Sequence, residues 1–467
     1  MPQIELPAEI FKAYDIRGIV GKTLTPEIVE AIGHALGSEA KRRAQKEICI
    51  GFDGRLSGPE LAAALSRGIC KAGIDVINLG MVATPMVYFA AAHLKTNCGV
   101  MVTGSHNPPD YNGLKMVLAG ETLSNDSIQD LRQRIEENKY TFGEGFEHNY
   151  AIVADYIAAI QADIHLARPL QITVDCGNGV AGAFAKQLYN AIGCHVDELF
   201  CEVDGHFPNH HPDPSVPENL TDLIQSLKST RTEIGLAFDG DGDRLGVVTK
   251  DGNIIYPDRQ MLLFAQDVLS RNPQANIIFD VKSTRNLGPW IRAHGGNPIM
   301  WKTGHSLVKA KIKETDAALA GEMSGHIFFN DNDSNGRKRW YGFDDGLYAG
   351  ARLLEILSYF DDVSAILNGL PDSVSTPEQH IKMREGEPHK LIAYLQKAAK
   401  FADATEIITI DGLRVEYADG FGLMRPSNTT PVVVLRFEAD NDAALRRIQA
   451  QFRVIILAVA PHLQLPF

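Results

Sequence analysis

Three aspartates alternate with two glycines in "FDGDGDRLG": Asp239, Asp241 and Asp243 around Gly240 and Gly242. Alternate residues can face one side, and glycine lets the backbone fold closely around an ion. Three carboxylates with no His or Cys suit a hard cation. Mg2+ would keep further positions for water or a phosphate oxygen. A solvated acidic turn is the bland alternative, but apolar strands flank this stretch and Arg244 follows it directly. A calcium EF-hand needs Gly at 244 and Glu at 250, where this chain has Arg244 and Lys250. "DNDSNG", residues 331–336, starts in a similar way, but its twelfth position is Gly342. It reads as a polar surface loop.

In "VMVTGSHNPPDYNGLKMV", residues 100–117, an apolar run stops at a polar tip and a second apolar run follows. Ser105 sits at that strand end with His106 beside it and Lys115 beyond. A strand-end hydroxyl near a metal is a candidate nucleophile. No G-x-S-x-G elbow is present, so a serine hydrolase lacks its usual support. A hydroxyl, a lysine and a separate carboxylate cluster point to phosphoryl transfer, which needs a metal and cations around the transferring group. Pro108 and Pro109 restrict the loop.

Two further loops carry complementary groups. "GEMSGH" offers Glu322, Ser324 and His326, a set suited to sugar hydroxyls, or equally a capped turn. "RPSNTTP" crowds Arg425, Ser427, Asn428 and Thr429 between two strands, as an anion clamp or a hairpin turn. Lys12, Tyr14 and Arg17, then Lys282 and Arg285, then Lys302 and His305, are surface charges taken singly. Together they could gather positive potential in an acidic protein.

A rival comes from "CGNGVAG", which matches G-x-G-x-x-G through Gly177, Gly179 and Gly182, with Asp197 and Glu198 about twenty residues on. That is the dinucleotide fingerprint of an NAD-dependent dehydrogenase. It leaves the Asp triplet, the Ser105 loop and the clamp unexplained, so the glycines read as a tight strand-to-helix turn.

These loops need elements to hold them. "EICIGF", "IDVINLG" and "CGVMVT" read as strands, with "GPELAAALSRGICKAG" and "MVYFAAAHL" as helices between them. Thr25 is the expected N-cap of an earlier helix, with Pro26 in its first position. The rhythm predicts βαβ units and a mainly parallel sheet. Similar alternations start at "LQITVDCGNGVAG" and "ANIIFDV", and the polar stretch 135–149 reads as a linker. After residues 366–379 the pattern becomes adjacent strands followed by a helix from Ala443, a smaller α+β domain. The segments around Ser105, the Asp triplet and Glu322 share one plan: apolar strand, short polar loop, apolar strand. Functional groups collect in such strand-end loops.

The chain has 467 residues, too many for one core, and a formal net charge of −13. That balance disfavours nucleic acid and anionic membranes as partners. Six cysteines are spread thinly, without CxxC, and read as buried thiols of a reducing compartment. The start "MPQIELPAEIFKAYD" has no signal-peptide character, and no apolar run is long enough to span a bilayer. The expectation is a cytoplasmic protein.

"TGSHNPPDYNGLK", "DGDGDR", "GEMSGH" and "RPSNTTP", in that order, resemble the phosphomannomutase/phosphoglucomutase group of the α-D-phosphohexomutase superfamily. "YDIRG", "FDGRLSG", "CEVDGHFPNHHPDP" and "KTGHS" extend the likeness over essentially the whole chain. The resemblance implies four domains around a central cleft: the first three with similar mixed or parallel α/β sheets, the fourth a smaller α+β domain. The expected division is 1–150, 151–253, 254–369 and 370–467. Carried over by motif, Ser105 would be a phosphoserine and, with Asp239, Asp241 and Asp243, would hold Mg2+. Glu322 and Ser324 would bind sugar hydroxyls. Arg425, Ser427, Asn428 and Thr429 would hold the non-reacting phosphate. Lys115, Arg17, His305, His326 and Arg244 would line the reacting centre; His106 is a further catalytic candidate, and Tyr14 and Lys282 are further substrate-binding candidates.

The implied reaction interconverts a hexose 1-phosphate and a hexose 6-phosphate through a reorienting hexose 1,6-bisphosphate, glucose 1,6-bisphosphate serving as activator. Lys115, His106 and His326 all remain open as the general acid or base. Met323 resembles the dual glucose/mannose group, whereas glucosamine-specific relatives tend to carry Gln there. The family suggests a monomer acting on phosphosugars. The "NDNDSNGRKRW" segment departs from the pattern, being longer and more polar, which bears on access to the site. A phosphoglucosamine mutase, a metal-dependent sugar phosphatase and a silent phosphosugar-binding protein remain as alternatives.

Overall fold

One strand plan is used three times. In the first sheet the order runs Tyr111–Leu118, Gly99–Val102, Glu47–Phe52, Asp75–Met81. In the second it runs Leu245–Thr249, Ile234–Phe238, Gln171–Asp175, His195–Leu199, and in the third Ile327–Phe329, Leu319–Gly321, Asn276–Asp280, Asn297–Trp301. Each time the first pair is antiparallel and the others are parallel. The central strands are buried along their length, such as Gly99–Val102 and Ile234–Phe238, because helices cover both faces. The antiparallel pairs are the three strand–loop–strand segments of the sequence. Their tips are the Ser105, Asp239–Asp243 and Glu322 loops.

The computed structural model describes residues 6–428 and 430–467. Ile16–Ile19 extends the first sheet antiparallel to Tyr111–Leu118, and Glu147–Asn149 adds a parallel strand beyond Asp75–Met81. The polar stretch 135–149 therefore ends along this sheet and covers its edge. Thr25 caps the helix Pro26–Arg42, its hydroxyl accepting from Ile28 N at 3.4 Å. This helix meets Gly58–Lys71 backbone to backbone: a Cβ on Gly68 would lie 2.1 Å from Glu30 O. Only glycine permits that approach.

The fourth sheet is antiparallel throughout, with Val432–Ala439 and Gly420–Pro426 at its centre. The helices Glu387–Ala398 and Asp442–Val459 pack on it, and Phe437, Ile448 and Phe452 are fully buried between. This domain has its own core. A single core joins parts of the first domain to the second and third, where Tyr156 and Tyr189 reach Asp345 and Leu347 O.

The 330–340 segment is not simply a polar surface loop. Asp331 is fully buried and binds Arg352 at 2.9 Å, Arg339 bridges Asp163 and Glu355, and Trp340 stacks on Tyr348 at 4.1 Å. Only the tip from Ser334 to Lys338 is exposed. Its buried ends strap the third domain to the second, because two carboxylates and a helix-borne arginine are available there. All six cysteines are free thiols, four of them buried and Cys70 and Cys201 half-buried. Among the described residues, no helix is long and apolar enough to cross a membrane.

Candidate active site

Ser105 leaves the end of Gly99–Val102 with φ +47°, a left-handed conformation that costs a non-glycine residue about 1–3 kcal/mol. Its N–H donates to Thr103 Oγ1 at 2.7 Å. Its hydroxyl donates to Asp239 Oδ2 at 3.0 Å and lies 3.3 Å from His106 Nδ1. Arg17, paired with Asp15, donates to Gly104 O and to Asn107 Oδ1, so it braces the same loop. Burial and the nearby Arg244 push His106 down to about 3, which leaves its imidazole neutral.

The Asp triplet follows Ile234–Phe238, and all three carboxylates are fully buried. The N–H groups of Gly242 and Arg244 donate to Asp239 Oδ1 at 3.1 and 3.2 Å. Thr84 holds Asp241 through its hydroxyl at 2.6 Å, and Lys115 bonds both Asp241 and Asp243. Burial would lower the lysine's pKa, but these carboxylates outweigh it and hold Lys115 as a cation. One oxygen of each of Asp241 and Asp243 is buried without a hydrogen-bond partner. One oxygen from each of the three carboxylates lies within 4.8 Å of the others. Orphaned buried carboxylate oxygens converging in an all-oxygen set fit a hard divalent cation. Gly240 presses on the serine loop, where a Cβ would lie 2.4 Å from Ser105 O.

The third loop joins the second directly. Leu245 N donates to Gly325 O at 3.1 Å, and Arg244 Nε donates to His326 Nε2 at 3.3 Å. His326 also faces Asp243 at 3.3 Å, Glu322 at 3.4 Å and the Ser324 hydroxyl at 2.7 Å. Glu322 accepts from Gly304 N at 2.5 Å through one oxygen, and its other oxygen has no hydrogen bond but faces His326 Nδ1. Burial raises its pKa against the pull of His326. His305 stacks 5.8 Å from His326 with neither ring nitrogen hydrogen-bonded, Nδ1 lying 3.6 Å from Asp344, and burial beside Lys309 and Lys115 holds it neutral.

The fourth loop closes the ring. Arg425 is held by Asp411 at 3.0 Å, and Asp411 also accepts from Thr303 N at 3.0 Å. Tyr14, with its pKa pushed up to about 12 by burial, hydrogen-bonds the Asn428 side chain. Ser427 accepts from Thr430 N at 3.3 Å within the turn. Thr429 lies outside the described residues. Lys282 is buried at the same edge and bonds Glu378 at 2.9 Å.

The structure thus brings Ser105, His106, Lys115, Arg17, Asp239, Asp241, Asp243, Arg244, Glu322, Ser324, His326 and His305 into one linked centre, with Tyr14, Lys282 and Arg425 beside it. Two candidate cations stay out: Lys302 is exposed, and Arg285 turns to Asp440 and Ala418 O. Sequence reasoning missed Thr84, Asp280, Asp344 and Asp411. Asp280 is fully buried and accepts from Thr303 and Ser283, and Asp344 holds Lys309 at 2.7 Å. Asp280 ends a strand in "IIFDV", the one local signal that marked it.

The dinucleotide alternative fails on packing. The pyrophosphate would have to approach Gly179, but a Cβ there would lie 3.0 Å from Gly240 Cα and 3.1 Å from Asp239 O. The backbone of the Asp239–Asp243 loop occupies that approach. A 3-10 turn, Val180–Ala183, stands where the fingerprint requires a helix N-terminus, and Glu198 pairs with Lys186.

Three like α/β sheets and a fourth domain, each offering one polar loop to a shared acidic and cationic centre, define a multidomain α/β enzyme of phosphoryl-transfer type. The comparisons with known proteins make the class specific. The four domain models of phosphoglucomutase/phosphomannomutase match in order: alpha/beta/alpha domain I at 8–142, II at 154–252, III at 256–374 and the C-terminal domain at 380–454. A phosphoglucomutase of Neisseria meningitidis serogroup A is 60% identical over 451 residues, covering 96% of each chain. A phosphomannomutase/phosphoglucomutase of Pseudomonas aeruginosa is 55% identical over 463 residues, 99% of this chain and 98% of that one. The crystal structure of a phosphoglucomutase/phosphomannomutase family protein from Burkholderia thailandensis superposes with a TM-score of 0.94 at 58% identity, covering 99% of this chain and all of that one. The chain belongs to the phosphoglucomutase/phosphomannomutase family and is an enzyme of the phosphohexomutase class.

Proposed function

We propose that this enzyme interconverts the 1- and 6-phosphates of glucose and of mannose through a phosphoserine at Ser105 and a hexose 1,6-bisphosphate. The observation that carries the reading is the Ser105 hydroxyl hydrogen-bonded to Asp239 inside the buried carboxylate triad. Ser105, Asp239, Asp241 and Asp243 would hold Mg2+, which, when bound, stabilises charge on the phosphoryl oxygens. Relatives named for both sugars, and Met323 in the sugar-loop motif, support dual specificity.

The phosphoryl group passes from Ser105 Oγ to the free hydroxyl of the hexose monophosphate. Lys115 and Arg244 offer fixed positive charge beside it. Two carboxylates commit Lys115 to its cationic form, so the hydroxyl's proton goes to an imidazole. His326 takes that role, since it lies between Glu322 on the sugar side and Asp243 on the serine side. Glu322 and Ser324 bind sugar hydroxyls, with His305 and Tyr14 lining the space. Arg425, Ser427, Asn428 and Thr429, aided by Lys282, hold the phosphate that is not reacting. After the bisphosphate turns end over end, the other phosphoryl group returns to Ser105 and His326 gives its proton back. One fixed clamp serves both orientations. Free thiols support a cytoplasmic protein, and the family resemblance supports a monomer.

Phosphorus NMR tests the reading, with glucose 1-phosphate and mannose 1-phosphate in parallel tubes, Mg2+ and a trace of glucose 1,6-bisphosphate. The expected result is the 6-phosphate in both tubes without free phosphate, and loss of at least a thousandfold in turnover for Ser105→Ala. Inorganic phosphate as the main product would make the protein a phosphatase. Turnover of glucosamine 1-phosphate alone would move it to that sugar.

A further inference from the structure

Arg55 is 1% exposed, yet it lies behind the reacting centre rather than in it. Its guanidinium collects four backbone carbonyls of the serine loop. Nη2 donates to Ser105 O at 2.8 Å and Asn107 O at 2.6 Å, and Nη1 donates to Pro108 O at 2.5 Å and Tyr111 O at 2.8 Å. Asp53 fixes the arginine from the other side, accepting from Arg55 N at 3.0 Å and lying 3.3 Å from its Nε. The same carboxylate accepts from Thr103 Oγ1 at 2.7 Å and Gly104 N at 3.3 Å. Gly104 leaves room for the guanidinium: a Cβ there would lie 2.2 Å from Arg55 Cζ. The second domain closes the seat, with the Phe207 ring 5.2 Å from the guanidinium and Gly205 packed on Gly54 and Arg55.

Ser105 O, the buried one of the four, would be left unpaired without a cation there, at a cost of about 1–3 kcal/mol. Asn107 O, Pro108 O and Tyr111 O are part-buried, and Pro108 O also accepts from Tyr111 N at 3.0 Å, so for these the guanidinium sets the loop's shape. The planar fork of an arginine can serve all four; a lysine, a point charge on a flexible stem, cannot hold the same geometry. The loop so moulded is the one in which Ser105 holds a left-handed φ of +47°. A strained conformation persists only where its surroundings over-determine it.

We infer that Arg55 is a positioning residue for phosphoryl transfer: it fixes where Ser105 Oγ stands relative to Asp239 and Lys115, without touching substrate. This rests on the phosphoserine reading of Ser105. Misplacing a reacting atom by about 1 Å costs on the order of a hundredfold in rate. The loss therefore falls on kcat in both directions. The sugar and clamp residues, on other loops, keep their hold on the monophosphate.

The test is Arg55→Lys, checked for folding by circular dichroism and thermal unfolding, and assayed beside Ser105→Ala. The expected result is a folded protein with kcat lowered about 10- to 100-fold, KM for glucose 1-phosphate within about threefold of the parent, and an increased share of phosphoryl groups lost from Ser105 to water. A folded Arg55→Lys with parental kcat, or one whose loss lies wholly in KM, overturns the inference. If Arg55→Lys does not fold, Phe207→Leu decides, since it removes the ring that closes the seat and lets the guanidinium shift off the four carbonyls. A kcat loss of about three- to tenfold at constant KM supports the inference, and an unchanged kcat overturns it. Retained turnover in Ser105→Ala would sink the phosphoserine reading itself, a result distinct from either.

Discussion

At the residue scale, the groups legible in the sequence are those whose type is rare in their local setting. Three carboxylates between apolar strands are costly to bury, so their presence in "FDGDGDRLG" already argued for a cation. Asp411 and Arg55 gave no such signal. A single acid or arginine near a turn is most often solvated, and only the tertiary partners, Arg425 for one and four carbonyls for the other, reveal the buried roles. His210 is a similar case. Its Nε2 faces the fully buried Asp175 at 3.0 Å, where strand Gln171–Asp175 runs into the turn beside the Asp triplet. Burial tends to lower its pKa, but the hydrogen bond and charge of Asp175 outweigh this and raise it above 6.5. A raised histidine contributes stability that is fully present below pH 6.5 and is lost as pH rises through the folded value. Replacing His210 by Gln should therefore lower the thermal midpoint by several degrees near pH 5.5 and by clearly less near pH 8.5. An equal gap at both pH values would remove the charge from this pair.

At the element scale, period and punctuation carried far. Apolar runs bounded by small polar tips predicted all three hairpins, and Thr25 with Pro26 marked a helix start that the structure keeps. Hidden from that reading was how the tips touch. The short strand Glu147–Asn149, all exposed, has no apolar alternation to announce it, because it pairs through its backbone and the Glu147 carboxylate, which accepts from Asn78 Nδ2 at 2.7 Å and from Ser66 Oγ. The meeting of the serine and aspartate loops is likewise a matter of clearance between backbones. Gly240 is the closest point, with room for no side chain against Ser105 O. Its φ is not left-handed, so Ala at 240 is compatible with the local backbone and acts only by pushing the loops apart. Gly240→Ala should cost about a hundredfold in kcat and raise the Mg2+ concentration needed for half-maximal activity, while the thermal midpoint falls by only a few degrees. Both are read from turnover against Mg2+ concentration and a thermal melt. Parental turnover with an unchanged Mg2+ requirement would show that the spacing of the two loops does not matter to catalysis.

At the scale of the whole molecule, one apolar core is shared among three domains, while the fourth keeps its own. A continuous apolar core runs from Ile77 and Met86 through Leu236 and Phe264 to Leu347, whereas the fourth domain closes its own core around Phe437 and Phe452. Its docking to the third is chiefly polar. Arg414 donates to Val281 O and Ser283 O at 2.7 Å, Arg436 holds Asp258 at 2.9 Å, and among the described residues Val281, Phe421 and Leu423 form the buried apolar patch between them. A largely polar interface of this kind permits relative motion. The fourth domain was legible as a change of rhythm after residues 366–379, where alternating strands and helices give way to adjacent strands, and the resemblance supplied the count of four. The proposed chemistry asks for such motion: a bisphosphate turning end over end would need the proposed clamp to release and re-engage, while water stayed excluded during transfer. Arg425 and Asn428 are the fourth domain's share of the site, and Tyr14, Thr303 and Lys282 are what they close against. Hydrogen–deuterium exchange with saturating glucose 1-phosphate should therefore slow at least threefold in Gly420–Pro426 and in the residues around Thr303. The buried strand Ile234–Phe238, inside the shared core, should exchange at an unchanged rate. In Arg425→Ala the protection should vanish from the fourth domain while the sugar still reaches Glu322 at higher concentration. Equal slowing in the shared core and in the fourth domain would mean that the enzyme tightens as one body, and that the polar interface is not where it opens.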